Sequence, residues 1–438
     1  MKHTVTEIAL SNGAKGLLVH VPEASVMTFD INFRAGEYLV DPTKWETPHL
    51  LEHILLVGGN KLISKGRDFQ AEFEKNGAYN NASTDVYDII YEAECADFEW
   101  ERILSLLLVA VTKPLFLEEE FKAEFGNVRE ELNTRSNSQF RHLNLALREY
   151  YGLEARTDKE RLKLMRNVEL EDVKAHYRRT HTTSNMRFII GGNLTPGRLE
   201  LIEKYLQDID LPQGRGRRIL PNEQPHAMPE PLYIRNRSVD NLYFYIDTFR
   251  RHKMNDSETD ALDLLNIMLT ETLYSKILGT ARERGLVYGM NSGYSQLREA
   301  SNWSFGAQVM PSNASALFDI IVDELYKVFA GKLADKDIEA AKAYALGRFQ
   351  RGAQTVGGVT SGYAGRYFFD DVIEDYYQIP QRIKAVTRQA MVEVAQSMFE
   401  DRVWGFGVLG NCGIDFVREL QERILPLWDN DITKITAK

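Results

Sequence analysis

Cysteine is nearly absent: 438 residues hold two, Cys95 and Cys412, far apart and outside any CxxC pattern. A disulfide framework and a thiolate metal site are thereby excluded, and a reducing compartment is expected. Long apolar runs are missing too. The longest, ILSLLLVAV (Ile103 to Val111), is half of what a membrane crossing needs and reads as a buried core helix. The N-terminal MKHTVTEIALSNG has no apolar stretch and no small-residue cleavage site, so the expected location is cytoplasmic. Positive charge is in deficit, with a formal net charge of -10. Nucleic acid is therefore not an expected partner, since binding it requires a basic footprint, and neither is a membrane.

What is present is ample apolar content, 44% of residues, which in a chain this long suggests two to three domains. The halves resemble each other. SVMTFDINFRAG (Ser25 to Gly36) and VDNLYFYIDTFRRH (Val239 to His252) both alternate as strands, and Phe33 and Phe249 are 249 − 33 = 216 residues apart. NMRFIIGGNLTPGRLELIEKYL (Asn185 to Leu206) matches VWGFGVLGNCGIDFVRELQERI (Val403 to Ile424), with Gly192 and Gly410 separated by 410 − 192 = 218. Two features at nearly one offset indicate a duplicated domain. Between them, Leu211 to Pro231 replaces periodic pattern with Pro, Gly and charge. The expected division is a first domain at 1–215, a linker at 216–230 and a second domain at 231–438. Strands and long helices follow one another without strict βαβ alternation. The expected fold class is therefore α+β, each domain an antiparallel sheet covered by helices.

The stretch TPHLLEHILL (Thr47 to Leu56) sets three polar groups among leucines. With Thr47 as N-cap and Pro48 at the first helical position, a helix starts here. On it Leu50, Leu51, Ile54 and Leu55 share one side, while His49, Glu52 and His53 share another. Two histidines at i and i+4 can present ring nitrogens to one metal ion, and a glutamate beside them can hold the water that the metal acidifies. Two surface histidines and a solvated glutamate would give the same letters, so a third ligand decides. The helix EEEFKAEFGNVREELNTR (Glu118 to Arg135) offers one, with its apolar stripe at Phe121, Phe125, Val128 and Leu132. At about 100° per residue, Glu130 lies roughly 165° from the stripe's centre, whereas Glu131 and Glu124 lie roughly 95° and 75° from it on one flank. Glu130 faces solvent. Glu131 can reach a neighbouring helix, and Glu124 on the same side could orient a histidine.

The inverted motif His-x-x-Glu-His, the glutamates seven apart with valine three before the second, and the duplication together resemble the insulinase/pitrilysin family of zinc peptidases. The resemblance spans nearly the whole chain. It implies Zn2+ on His49, His53 and Glu131, with Glu52 as general base and Glu124 as a supporting acid. NGAYNNASTDVYDIIY (Asn76 to Tyr91) resembles the family's edge strand that binds peptide backbone by strand addition, with Asn81 and Ala82 matching its Asn-Ala pair. ARERGLVYG (Ala281 to Gly289) resembles the segment whose arginine and tyrosine reach the substrate; Tyr288 matches the tyrosine, and either Arg282 or Arg284 the arginine. Glu46 departs from the pattern, which has glycine three residues before the first histidine. The implied activity is a zinc endopeptidase for short or unfolded peptides in a closed chamber. Longer relatives carry four such domains, so a two-domain chain implies a homodimer, or a heterodimer with a homologous subunit. A noncatalytic, structural or substrate-holding subunit of the same family is the alternative. A nonhydrolytic metal-binding module is disfavoured by Glu52, because structural zinc closes its fourth position with protein.

Overall fold

The computed structural model describes residues 1–428, which form two compact α+β units. The first comprises Met1–Thr134, Asp158–Leu220 and Gln350–Tyr376; the second comprises Arg135–Thr157, Pro221–Phe349 and the described residues from Tyr377 to Trp428. One changeover, Leu220 to Pro221, falls inside the linker expected at 216–230. The others do not, so neither unit is a continuous stretch of chain.

The first unit is built on a six-stranded sheet: β1 (Thr4–Ala9), β2 (Lys15–His20), β3 (Val26–Phe33), β4 (Tyr79–Thr84), β5 (Ile89–Ala96) and β6 (Met186–Gly192), in the order β1-β2-β6-β3-β5-β4. β3 lies inside this sheet, and its alternation sorts its side chains. Met27, Phe29, Ile31 and Phe33 are fully buried against Leu50, Leu51, Ile54, Ile103, Leu107, Val128 and Leu132. Each such side chain contributes roughly 1.5–3 kcal/mol on burial. Thr28, Asp30 and Asn32 point to the opposite face, where the helix Val356–Asp370 lies against β3 and β6 and the Thr28 and Thr360 hydroxyls meet at 3.4 Å. That approach requires Gly191, because a Cβ there would stand 2.3 Å from the Thr360 methyl.

The second unit has a five-stranded sheet: β7 (Leu232–Arg235), β8 (Leu242–Arg250), β9 (Met290–Gln296), β10 (Ser301–Val309) and β11 (Val403–Gly410), ordered β7-β11-β8-β10-β9. Strand for strand this repeats β2-β6-β3-β5-β4, and β1 is an addition. Phe33 pairs with Met186 in the first sheet and Phe249 with Val403 in the second, so the repeat extends to register. The sheets are not wholly antiparallel as expected: β2 with β6, and β7 with β11, run parallel. These partners are far apart in sequence, so no hairpin dictates their direction.

The helix Gln139–Tyr150 and the helix Val356–Asp370 begin 356 − 139 = 217 residues apart, the spacing of the repeat. Each belongs to the unit built by the other half of the chain. In the second unit Leu147 covers Gly407 and Tyr151 packs edge-on against Phe249 at 4.7 Å. Among the described residues no helix is long and apolar enough to cross a membrane.

Candidate metal centre

The helix Thr47–Val57 packs against β4 and the helix Leu170–Thr180. It begins one residue earlier than its sequence suggests. Glu46 is the N-cap residue and its carbonyl accepts from the Leu50 N–H at 2.9 Å, while the Thr47 hydroxyl turns back to the Lys44 carbonyl. The apolar side of the helix enters the core, and the period of 3.6 then places His49, Glu52 and His53 together on the other side.

There they meet the helix Glu118–Arg135. The Glu131 Oε2 lies 3.3 Å from the His49 Nε2 and 3.4 Å from the His53 Nε2, and the two rings are 4.9 Å apart at 78°. Glu130, one residue away, is 71% exposed and stands 3.7 Å from Arg129. Val128 and Leu132 are fully buried; that anchorage fixes the phase of the helix and turns Glu131 inward.

Each histidine is held from behind by a carboxylate. The His53 Nδ1 lies 2.9 Å from Glu124, whose other oxygen accepts from the Asn127 amide at 3.1 Å. The His49 Nδ1 lies 3.0 Å from Glu46 Oε2. Arg161 in turn grips Glu46, with Nε donating to Oε1 at 2.5 Å and Nη2 to Oε2 at 3.0 Å. Both Nδ1 atoms face a carboxylate and both Nε2 atoms converge on Glu131, so displacing the Nε2 protons would leave two ring lone pairs directed at one point beside its carboxylate.

Burial disfavours an imidazolium, yet the His53 pKa is pushed up to about 9, because its bonds to Glu124 and Glu131 and the charge of Glu52 outweigh burial. His49 is raised for the same reasons, through Glu131 and Glu46. Burial would likewise raise Glu46, but the Arg161 charge and the bonds to His49 and Arg161 hold it down to about 2. The pocket thus strongly favours positive charge, which a metal ion can supply by displacing protons.

Two imidazole nitrogens and one carboxylate oxygen, all within 4.8 Å of one another, form the only such cluster among the described residues. Borderline nitrogen and oxygen donors of this kind, without a thiolate, suit Zn2+, and a set of three leaves a further position for water or substrate. The donor set fits the implied metal.

Glu52 points into the same site, and its Oε2 accepts from the Thr84 hydroxyl at 2.6 Å. Thr84 ends β4, the edge strand of the first sheet. Ala82, two residues before, is buried on the same face; Asn81 lies on the other, donating to Glu92 at 3.0 Å. Thr84 belongs to no motif in the sequence, although strand alternation places it with Ala82.

Arg282 and Tyr288 lie in the second unit. The Arg282 guanidinium stacks 4.8 Å over the Tyr288 ring and donates to the Tyr288 carbonyl, and Tyr288 is 87% exposed. Arg282 is the arginine paired with this tyrosine, and Arg284 is simply exposed. Advancing 217 positions from His49, His53 and Glu131 gives Asn266, Thr270 and Arg348. Asn266 accepts from the Trp303 indole at 2.9 Å and from Ser292 at 2.6 Å, Thr270 meets Ser292 at 2.7 Å, and Arg348 pairs with Asp263 and Glu271. Neutral bonds and ion pairs occupy the second copy.

No curated protein matches the chain. Among solved structures it is similar to a protease from Helicobacter pylori, with 20% identity over 93% of this chain and 100% of that one and a TM-score of 0.81. It is also similar to a peptidase M16 inactive domain from Pseudomonas fluorescens, with 16% identity over 94% and 98% and a TM-score of 0.79. These likenesses establish the fold. Residues 24–159 match the profile of the insulinase family, peptidase family M16, and residues 167–344 match that of the peptidase M16 inactive domain. The histidine helix and both glutamates of its neighbour fall in the first match, the repeat that has lost them supplies most of the second, and the chain belongs to the insulinase family, peptidase family M16.

Proposed function

We propose that the protein is a zinc-dependent endopeptidase that cleaves short or unfolded peptides. One observation carries the reading: His49, His53 and Glu131 converge beside Glu52, whose carboxylate is already held by Thr84. A nonhydrolytic metal site has no need of a base so placed. His49, His53 and Glu131 would hold zinc, which when bound supplies a Lewis acid that makes water acidic near neutral pH and polarises a carbonyl.

The chain's own groups do the rest. With Glu52 Oε2 engaged by Thr84, Oε1 accepts the proton of the attacking water; the oxygen bonds to the carbonyl carbon, the C–N bond breaks, and Glu52 returns the proton to the leaving amine. Among the described residues β4 is an edge strand, with no strand paired on its outer side, which favours a peptide extended alongside Asn81 and Ala82. That geometry selects unfolded chain, since a folded substrate offers no free strand. Tyr288 and Arg282 are proposed to donate to the carbonyl oxygen as charge develops on it. Two chains, alike or homologous, would complete the chamber. The two free thiols suit the cytoplasm.

The noncatalytic alternative draws on the inactive-domain profile, but that match begins at residue 167, beyond every member of the His-Glu cluster. Metal analysis of the wild type and of a His49→Ala/His53→Ala variant, with a quenched-peptide assay on both, tests the proposal. One zinc per chain and turnover in the wild type alone are expected; full zinc retention in the double variant would rule out the site.

A further inference from the structure

Glu46 is the residue at which this chain departs from the glycine of the family pattern, and its surroundings give it a task. It is 0% exposed and stands at the N-cap, yet its carboxylate makes no bond to the first-turn backbone N–H groups that an N-cap acid ordinarily serves. It turns instead to the His49 Nδ1 and to Arg161, a buried residue 115 positions further along the chain. The guanidinium fork occupies both carboxylate oxygens, so the carboxylate cannot rotate, and one oxygen stays aligned with the imidazole.

Resting on the zinc reading above, we infer that Glu46 and Arg161 form a positioning clamp that fixes the tautomer of His49 and raises its strength as a metal ligand. A buried ion pair is weak grounds for stability in itself, because desolvation offsets much of the attraction. Here it delivers an anionic acceptor to Nδ1, the ring nitrogen that is not turned to Glu131. His53 has its own anionic acceptor in Glu124, so each ligand histidine has a dedicated carboxylate. A glycine at position 46 could offer His49 no side-chain acceptor. The clamp also makes the site depend on the helix Asp158–Leu164, which carries Arg161. Glu37, whose Oε1 lies 3.7 Å from the Arg161 Nη2, belongs to the same charge cluster, but the carboxylate at the His49 Nδ1 is that of Glu46.

The test is chelator competition for Zn2+ in folded wild type, Glu46→Gln and Glu37→Gln. Loss of an anionic partner behind a ligand histidine costs about 10–100-fold in metal affinity. Glu46→Gln is expected to show that loss and Glu37→Gln less than about threefold. Equal affinity of Glu46→Gln and wild type, or equal losses in the two variants, overturns the clamp while leaving the zinc site standing. A wild type that binds no zinc contradicts the zinc reading itself and removes the clamp with it. Should Glu46→Gln fail to fold, 15N-histidine NMR of the zinc-loaded wild type decides. His49 is expected to coordinate through Nε2 with a protonated Nδ1, and coordination through Nδ1 overturns the inference.

Discussion

Glu130 and Glu131 are neighbours in sequence with opposite surroundings, and replacing each by glutamine separates them. The Glu131 Oε2 stands within 3.4 Å of both histidine Nε2 atoms, whereas Glu130 is 71% exposed beside Arg129. Zinc binding at a protein site of four ligands is worth about 10–16 kcal/mol, so one ligand carries about 2.5–4 kcal/mol. At about 1.4 kcal/mol per factor of ten, Glu131→Gln is expected to weaken zinc by about 10²–10³-fold. An exposed ion pair such as Arg129 with Glu130 contributes about 0–1 kcal/mol to stability and nothing to the site, so Glu130→Gln should stay within about twofold of wild type. Chelator competition on metal-free protein, with circular dichroism confirming the fold of each variant, measures both. Equal losses would mean that Glu131 is not a ligand and that the inward phase of the helix Glu118–Arg135 does not set metal affinity.

Thr84→Val removes the hydroxyl that holds Glu52 and keeps the side chain's shape. A hydrogen bond to a charged group is worth about 1.5–3 kcal/mol, so kcat should fall about 10–100-fold with zinc content unchanged, and Thr84→Ser should recover most of it; an unaltered kcat would show that Glu52 needs no such support. Asp30 pairs across strands with Glu92, and burial, then the charge of Glu92, pushes its pKa from 3.8 up to about 7. The folded state therefore holds this proton more firmly than the unfolded one: the stabilisation is complete below about pH 3.8 and lost as pH rises through about 7. Asp30→Asn should thus stabilise by about 1–2 kcal/mol at pH 8.5, allowing for partial exposure, and much less at pH 5. Thermal denaturation at the two pH values checks this, and a gain that does not grow with pH would contradict it.

Much of the first unit was legible because period and phase decide it. Strict alternation from Met27 to Phe33 marks a strand with one core face, and His49, Glu52 and His53 fall on one side of any helix through them. The same geometry separates Glu131 from Glu130 on helical phase alone. What escaped depends on distance along the chain. Nothing local to Glu46 announces Arg161, and nothing at Gln139 or Val356 announces that these equivalent helices are exchanged between the units. The helix start was misplaced by one residue because Thr47 is a good N-cap by type, while Glu46 takes that position with its side chain drawn to His49 and Arg161. Thr84 was within reach of the same alternation that singled out Ala82, but a threonine at a strand's end carries no signal until the partner carboxylate is seen.

The most direct test of the central claim is Glu52→Gln, which keeps the shape of the side chain and removes its capacity to take a proton. Zinc content, affinity for a flexible peptide and turnover are to be measured side by side in wild type and variant. The account predicts one zinc per chain in both, peptide binding retained along β4, and turnover lower by about 10²–10⁴-fold in the variant, the usual worth of general-base help. Cleavage by Glu52→Gln at the wild-type rate would place the base elsewhere. A wild type that binds zinc and cuts no member of a diverse peptide library would contradict the peptidase reading and favour a noncatalytic subunit.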